Sequence, residues 1–186
     1  MLRISVVVVV VFLAGCQGYY DRHIYGNEKS PYFKVPVDSR LILNQELAIP
    51  ANTDRIYFQH GQVRSFQDTN EYLAYCALQI RTRKDTAQSV KPGEFVVEKS
   101  YRQTIYQLAL RAPLLLAQMD GGGDGVMEYR VMVTIMELLS TSQPDVIRLT
   151  CGKWDLPPDA PHITIRDMRE ELGNIFRLVL ADQRTP

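Results

Sequence analysis

The strict alternation of side chains in Met127–Leu139 constrains the fold of this chain most. Val131, Val133 and Ile135 occupy every second position, and polar or flexible side chains lie between them. Because successive side chains of a strand point to opposite faces of a sheet, this pattern predicts a β-strand with one apolar face.

Comparable segments recur along the chain, separated by turn residues. They are Arg40–Ile49, Arg55–His60, Leu73–Thr82, Glu94–Leu110 and Val146–Cys151. We expect the first two to form a β-hairpin across residues 50–54. In the third, Cys76, Leu78 and Ile80 share one face, and Tyr75, Ala77, Gln79 and Arg81 share the other. The candidate core anchors of the fourth are Phe95, Val97, Tyr101 and Ile105. About six short strands predict a mainly β fold, an antiparallel β-sandwich or a small barrel.

The C-terminal element has a helical period instead. Its apolar positions are Ile165, Met168, Leu172, Ile175, Phe176 and Val179. This spacing predicts an amphipathic α-helix over about residues 164–180. Thr164 and Asp167 have the spacing of a capping box, and Gly173 lies within the predicted helix. The helix either binds a partner or membrane surface, or closes one side of the sheet. We expect the second, because its polar face carries both charge signs.

The N-terminus has the pattern of an export signal. Arg3 supplies one positive charge, and Ile4–Leu13 is almost entirely apolar but too short for a membrane-spanning helix of about 20 residues. Residues 1–15 are therefore predicted to be a signal peptide. Residues 16–37 are then predicted to be a lipidated N-terminus and tether, followed by a single β-rich periplasmic domain over residues 38–186.

The tetrapeptide Leu13-Ala14-Gly15-Cys16 resembles the lipobox of bacterial lipoproteins at all four positions. The resemblance implies cleavage before Cys16 and attachment of acyl chains, including palmitate, to that cysteine. Two or more chains anchor a protein stably in a membrane, whereas one does not. Gln17 replaces the aspartate that would resemble an inner-membrane retention signal, which favours the inner leaflet of the outer membrane. The alternative is an ordinary secretory signal with an incidental cysteine.

Assigning Cys16 to the lipid leaves Cys76 and Cys151 as an even pair. In an oxidising compartment, such a pair predicts a disulfide between two strands. The alternatives are two buried free thiols or part of a metal site. Two cysteines without nearby histidines are a poor zinc set, because structural zinc takes four ligands. Trp154 follows closely and either anchors an interface or covers the predicted disulfide, and we expect the second.

The charge balance gives no indication of a nucleic-acid surface. The chain has 21 basic and 21 acidic residues, and removal of residues 1–15 takes away only Arg3 from this balance. Neither a nucleic-acid partner nor a polybasic membrane patch is expected, because both need concentrated positive charge.

Motifs of catalysis, cofactor binding or metal binding are absent from the sequence. Asp120–Gly125 lacks the ligands of a calcium loop and the lysine of a phosphate loop, and we expect an exposed loop there. His23, His60 and His162 do not have metal-ligand spacing. No catalytic residue, cofactor or metal is therefore predicted, although a triad assembled from distant residues stays open.

The stretches IPANTDRIYFQHG, YCALQI, LTCGKWDLP and IRDMREELG resemble a family of uncharacterised proteobacterial lipoproteins. The resemblance covers most of the mature chain and implies location and architecture, not an activity. We expect a non-enzymatic component of an envelope assembly that binds another envelope protein. The alternatives are a module that binds lipid, glycan or peptide in a groove between sheet and helix, and an envelope hydrolase without a sequence-evident motif.

Overall fold

The computed structural model describes residues 27–110, 126–155 and 161–181. Within residues 106–110 and 126–129, only the backbone is described. Its strands are β1 (Arg40–Leu43), β2 (Leu47–Ile49), β3 (Arg55–Gln59), β4 (Gln62–Arg64), β5 (Tyr75–Ile80), β6 (Gln88–Val90), β7 (Gly93–Leu110), β8 (Val126–Leu139), β9 (Val146–Asp155) and β10 (Phe176–Val179). The helix α1 spans Ile165–Leu172.

Eight strands form one antiparallel sheet in the order β10-β1-β7-β8-β9-β5-β3-β4. This sheet curls into a half-barrel, and β2 and β6 form a separate two-stranded ribbon. The predicted mainly β fold with a C-terminal amphipathic helix is confirmed.

The hydrophobic core covers one face of the sheet, which we call the core face. The strand residues that alternate toward it pack with α1 and the β2–β6 ribbon. Its largest fully buried side chains are Phe58, Phe95, Leu41, Leu43, Leu47, Ile49, Leu78, Met136, Leu149, Ile165, Met168 and Leu172. The sheet therefore gains its main hydrophobic stabilisation from this face.

Cys76 and Cys151 lie at disulfide distance in the middle of the core face. They are direct partners in the pairing of β5 with β9, with their sulfurs 2.02 Å apart and their Cα atoms 4.0 Å apart. Both side chains are fully buried. The pair joins two neighbouring strands, and the two cysteines are 75 positions apart in the sequence.

The predicted hairpin between Arg40–Ile49 and Arg55–His60 is wrong. The first segment forms two strands: β1 pairs with β7 and β10, whereas β2 pairs with β6. β3 instead pairs with β4 across His60 and Gly61, which have φ values of 53° and 70°. Two successive residues with positive φ form a tight hairpin turn. The hairpin that contains β3 is therefore closed by the two residues after this strand, not by residues 50–54 before it.

The predicted helix is also too long. It ends at Leu172, Gly173 adopts a φ of 53°, and residues 176–179 form β10 instead. Phe176 and Leu178 alternate into the core while β10 pairs with β1, so strand pairing replaces the last turns of helix. The capping box is confirmed, since Thr164 and Asp167 exchange backbone-to-side-chain hydrogen bonds of 2.8 and 3.1 Å.

The end of α1 packs on the β3–β4 turn. The His60 N–H donates to Glu171 Oε2 at 2.6 Å, and the Gly61 N–H donates to the Glu171 carbonyl at 3.0 Å. Glu171 is buried, and this burial raises the pKa of its carboxyl group. A Cβ atom on Gly173 would lie 2.5 Å from Gly61 Cα, so the contact requires glycine at position 173.

The segment predicted to be a tether contributes to the core. Phe33 and Val35 are buried, and the Arg102 guanidinium donates to the Phe33 carbonyl. Glu28 forms an ion pair with Arg169 on α1. Packing therefore begins before residue 38, while Cys16 and the rest of the lipobox lie outside the described residues.

Candidate functional site

The sheet face opposite the core carries a second apolar cluster. Val131, Val133 and Ile135 of β8 are buried there, and Trp154 of β9 packs against them. Within the described residues, the loop between β4 and β5 folds onto one side of this face. We call it the groove face.

A bulge in β7 extends the groove face across this strand. The pairing of β7 with β8 shifts between Val97 and Lys99. Phe95 and Val97 therefore point into the core, whereas Tyr101 and Ile105 lie on the groove face and are 37% and 38% exposed. The predicted role of Tyr101 and Ile105 as core anchors is wrong. Uninterrupted alternation from Phe95 and Val97 would place both side chains in the core, but the bulge reverses the faces of the residues that follow it.

Four rows of paired residues cross the groove face from β3 toward β7. In order, they are Arg55, Gln79, Arg148, Glu137 and Lys99; Tyr57, Ala77, Thr150, Ile135 and Tyr101; Tyr75, Gly152, Val133 and Gln103; and Trp154, Val131 and Ile105. Successive rows are two residues apart along each strand. The register of the sheet thus brings residues from five strands into one surface.

A groove of about 550 Å³ crosses these rows, and we call it the central groove. Its floor is low where Ala77 and Thr150 pair side by side, and Gly152 is the next residue of β9 on the same face. A Cβ atom on Gly152 would lie 2.7 Å from the Met132 carbonyl oxygen, so close strand packing requires glycine here. The groove therefore arises from small side chains between larger ones.

Aromatic side chains form one wall of the central groove. Tyr57 lies 5.5 Å from Phe66 and 6.3 Å from Tyr75, measured between ring centroids. Tyr72 meets Trp154 edge to face at 6.2 Å. Such rings offer large contact areas with few rotatable bonds, which favours binding of a ligand in the groove.

The expectation that Trp154 covers the disulfide is wrong. Cys151 points into the core, whereas Trp154, three residues later in the same strand, lies on the groove face. Side chains an odd number of positions apart in a regular strand have opposite directions. Trp154 instead contacts the groove, and its side chain hydrogen-bonds the Tyr75 hydroxyl.

One end of the central groove carries two arginines. Arg55 and Arg148 flank Gln79 in the first row, and Arg148 Nε is buried without a hydrogen-bond partner in the described part of the chain. Its Nη2 lies 3.9 Å from Glu137 Oε1, while Lys99 Nζ lies 3.5 Å from the other oxygen of Glu137. The carboxylate is thus shared by two cations.

The opposite end carries Glu71. Its backbone carbonyl accepts a hydrogen bond from the Trp154 N–H at 2.7 Å, and burial raises the pKa of its carboxyl group. Burial, and secondarily the charge of Glu71, raises the pKa of Tyr75 to about 12. Tyr75 therefore stays a neutral hydrogen-bonding group at neutral pH.

A neighbouring depression of about 610 Å³ lies beside β3, beyond the end of β4. Residues 50–54 and 63–67 form most of it. We regard the central groove as the candidate site because it crosses five strands and carries a buried guanidinium nitrogen with unmet hydrogen-bonding capacity. The space between sheet and helix, where the alternative of a lipid-, glycan- or peptide-binding module placed its groove, is filled by the core.

The described histidines do not line the central groove. Among its described lining residues, there is no serine, cysteine or histidine. His60 lies in the β3–β4 turn, with Nδ1 3.6 Å from Glu171. His162 precedes α1, and its pKa is lowered by burial and then by the nearby charges of Arg102 and Lys34. Within the described residues, no three histidine, cysteine, aspartate or glutamate residues gather as metal ligands.

Several predicted features lie outside the described residues, namely Cys16, His23 and the Asp120–Gly125 loop. In the part of the chain that is described, no helix has the length and apolar character needed to cross a membrane.

Comparison with known proteins yields no family, no curated protein and no solved structure that matches this chain. The resemblance to proteobacterial lipoproteins therefore depends on the residues quoted above alone.

Proposed function

We propose that this chain is a lipid-anchored envelope protein whose β domain binds another envelope protein through the central groove. The observation that carries the proposal is the groove itself, a broad aromatic and apolar surface on the sheet face opposite the core. Exposed apolar surfaces with a polar rim are typical of protein interaction sites.

The anchor and the compartment are supported by the cysteines. The lipobox ending in Cys16 favours acylation, and the Cys76–Cys151 pair at disulfide distance suits the oxidising periplasm. An acylated N-terminus would keep the domain in the envelope, where a partner is met at high local concentration.

Replacement of Cys16 by serine tests the anchor. We expect this variant to lose lipid labelling and to leave the membrane fraction, while the unchanged Cys76–Cys151 pair stays oxidised. A variant that remains in the membrane fraction would show that the attachment has another origin.

Photo-crosslinking in intact cells tests the groove. A photoreactive phenylalanine analogue at Tyr57 or Tyr101 should give one discrete adduct, because both positions lie on the groove face. The same analogue at Arg83, which is exposed and outside the groove, is the matched control and should give none. Equal labelling from all three positions, or no adduct from the groove positions, would contradict the proposal.

A further inference from the structure

The central groove has a definite length. Arg148 and Trp154 mark its two ends on β9 and are six residues apart. At about 3.3 Å per residue, this separation corresponds to roughly 20 Å of extended chain. A peptide of about six residues would therefore span the groove.

The charges at the two ends are opposite in sign. Arg55 and Arg148 line one end, and the carboxyl group of Glu71 lines the other. Within the described residues, Glu71 forms no ion pair with a lysine or arginine, so its carboxylate can accept a cation or a hydrogen-bond donor. Arg148 Nε likewise has hydrogen-bonding capacity to spare.

The local carboxylates do not saturate the arginine end. Asp54 Oδ2 lies 3.9 Å from Arg55 Nε, and Glu137 is divided between Arg148 and Lys99. The Tyr101 hydroxyl also donates to Glu137 at 3.4 Å. An incoming carboxylate would meet two guanidinium groups, which bind carboxylates with paired hydrogen bonds.

We infer that the occupant of the central groove is an extended peptide segment of about six residues, with a carboxylate at the Arg55–Arg148 end, an apolar middle and a cationic or donor group at the Glu71 end. This inference rests on the proposed function and names the chemistry of the partner. An extended backbone can present alternate apolar side chains to Val133, Ile135 and the aromatic wall. A lipid tail fits less well, because the groove is open and both of its ends are charged.

Selection from a random hexapeptide library displayed on phage tests the inference. The target is the full chain, purified in detergent and immobilised. We expect enrichment of peptides with aspartate or glutamate at one end and apolar residues in the middle. With Arg148→Glu, the preferred residue at that end should change from acidic to basic. Arg83→Glu changes the same charge outside the groove and should retain the acidic preference.

Affinity measurements give the expected size of the effect. For the most enriched peptide, measured by fluorescence anisotropy, Arg148→Gln should weaken binding about tenfold, as expected for loss of a charge-assisted hydrogen bond. Glu71→Gln should weaken binding of peptides with a basic end but not of those without one. Circular dichroism spectra matching the parent protein would show that the variants are folded.

The two proposals fail in different ways. Absence of any enrichment, or the same acidic preference in wild type and Arg148→Glu, would overturn the peptide inference. If crosslinks from the groove still appear in cells, the proposed function stands without it. If those crosslinks are absent, the proposed function itself fails.

Discussion

Removal of the Cys76–Cys151 bridge should lower the stability of the domain by an amount that follows from the topology. The bridge closes a loop of 75 residues. In the chain-entropy model, opening a loop of this length costs about 4.5 kcal/mol at 25 °C. Domains of this size are stable by about 5–15 kcal/mol, so the bridge accounts for a large share of the total.

The double variant Cys76→Ala/Cys151→Ala adds a packing loss to this entropy. Both side chains are fully buried, so each missing sulfur leaves a small void. By comparison with loss of one buried methyl group, each void should cost about 0.5–1.5 kcal/mol. The single variant Cys76→Ala opens the same loop but makes one void, so it should lie between wild type and the double variant.

Urea unfolding followed by Trp154 fluorescence and far-ultraviolet circular dichroism measures these differences. With a denaturant slope of about 2 kcal/mol per molar urea, opening the bridge should move the midpoint down by roughly 2 M. Thiol titration of the unfolded protein confirms the oxidation state of each sample. A double variant within about 1 kcal/mol of the oxidised protein would refute the loop-entropy reasoning.

Three further predictions concern the contact between α1 and the β3–β4 turn. Glu171→Ala removes the acceptor of the His60 N–H and should cost about 1–3 kcal/mol, whereas Glu171→Gln keeps an acceptor and should cost less. Because burial raises the pKa of Glu171 above its ordinary 4.5, its stabilising contribution is complete below that pH and is lost as pH rises through the folded-state pKa. Thermal unfolding between about pH 4 and 8 should show this loss in wild type and not in the glutamine variant, and identical profiles would contradict it. Gly173→Ala combines a positive φ with a contact to Gly61 and should cost at least about 1 kcal/mol in urea unfolding, so an unchanged midpoint would contradict the geometry.

Alternation in the sequence predicted the direction of most strand side chains, because burial of one sheet face imposes a period of two. It placed Cys76 and Leu78 on the core face, and Tyr75, Ala77 and Gln79 on the other. Alternation does not identify the neighbouring strand, however. Strands from distant parts of the chain can all pair with a given sheet edge, so alternation could not predict that β1 pairs with β7 and β10.

The central groove was not predicted, since it depends on register between five strands. Tyr75 and Gln79 were assigned to the second face, but their alignment with Gly152 and Arg148 follows only from the pairing of β5 with β9. The orientation of Trp154 could have been found by extending the predicted strand beyond Cys151. In residues 176–179, helical and strand periods both fit so short an apolar segment, and pairing with β1 decides between them.

The pairing of β1 with β10 has a consequence for how the domain folds. Arg40 and Val179 are direct partners although 139 positions separate them, so this sheet edge closes only when almost the whole chain is present. Until then, β1 offers an unpaired edge that can capture another chain. Once β10 has docked, Arg169 donates hydrogen bonds to the Leu178 carbonyl and occupies part of the new outer edge. A premature stop before Phe176 would therefore expose the edge of β1 to aggregation or proteolysis, even though β10 itself does not line the central groove.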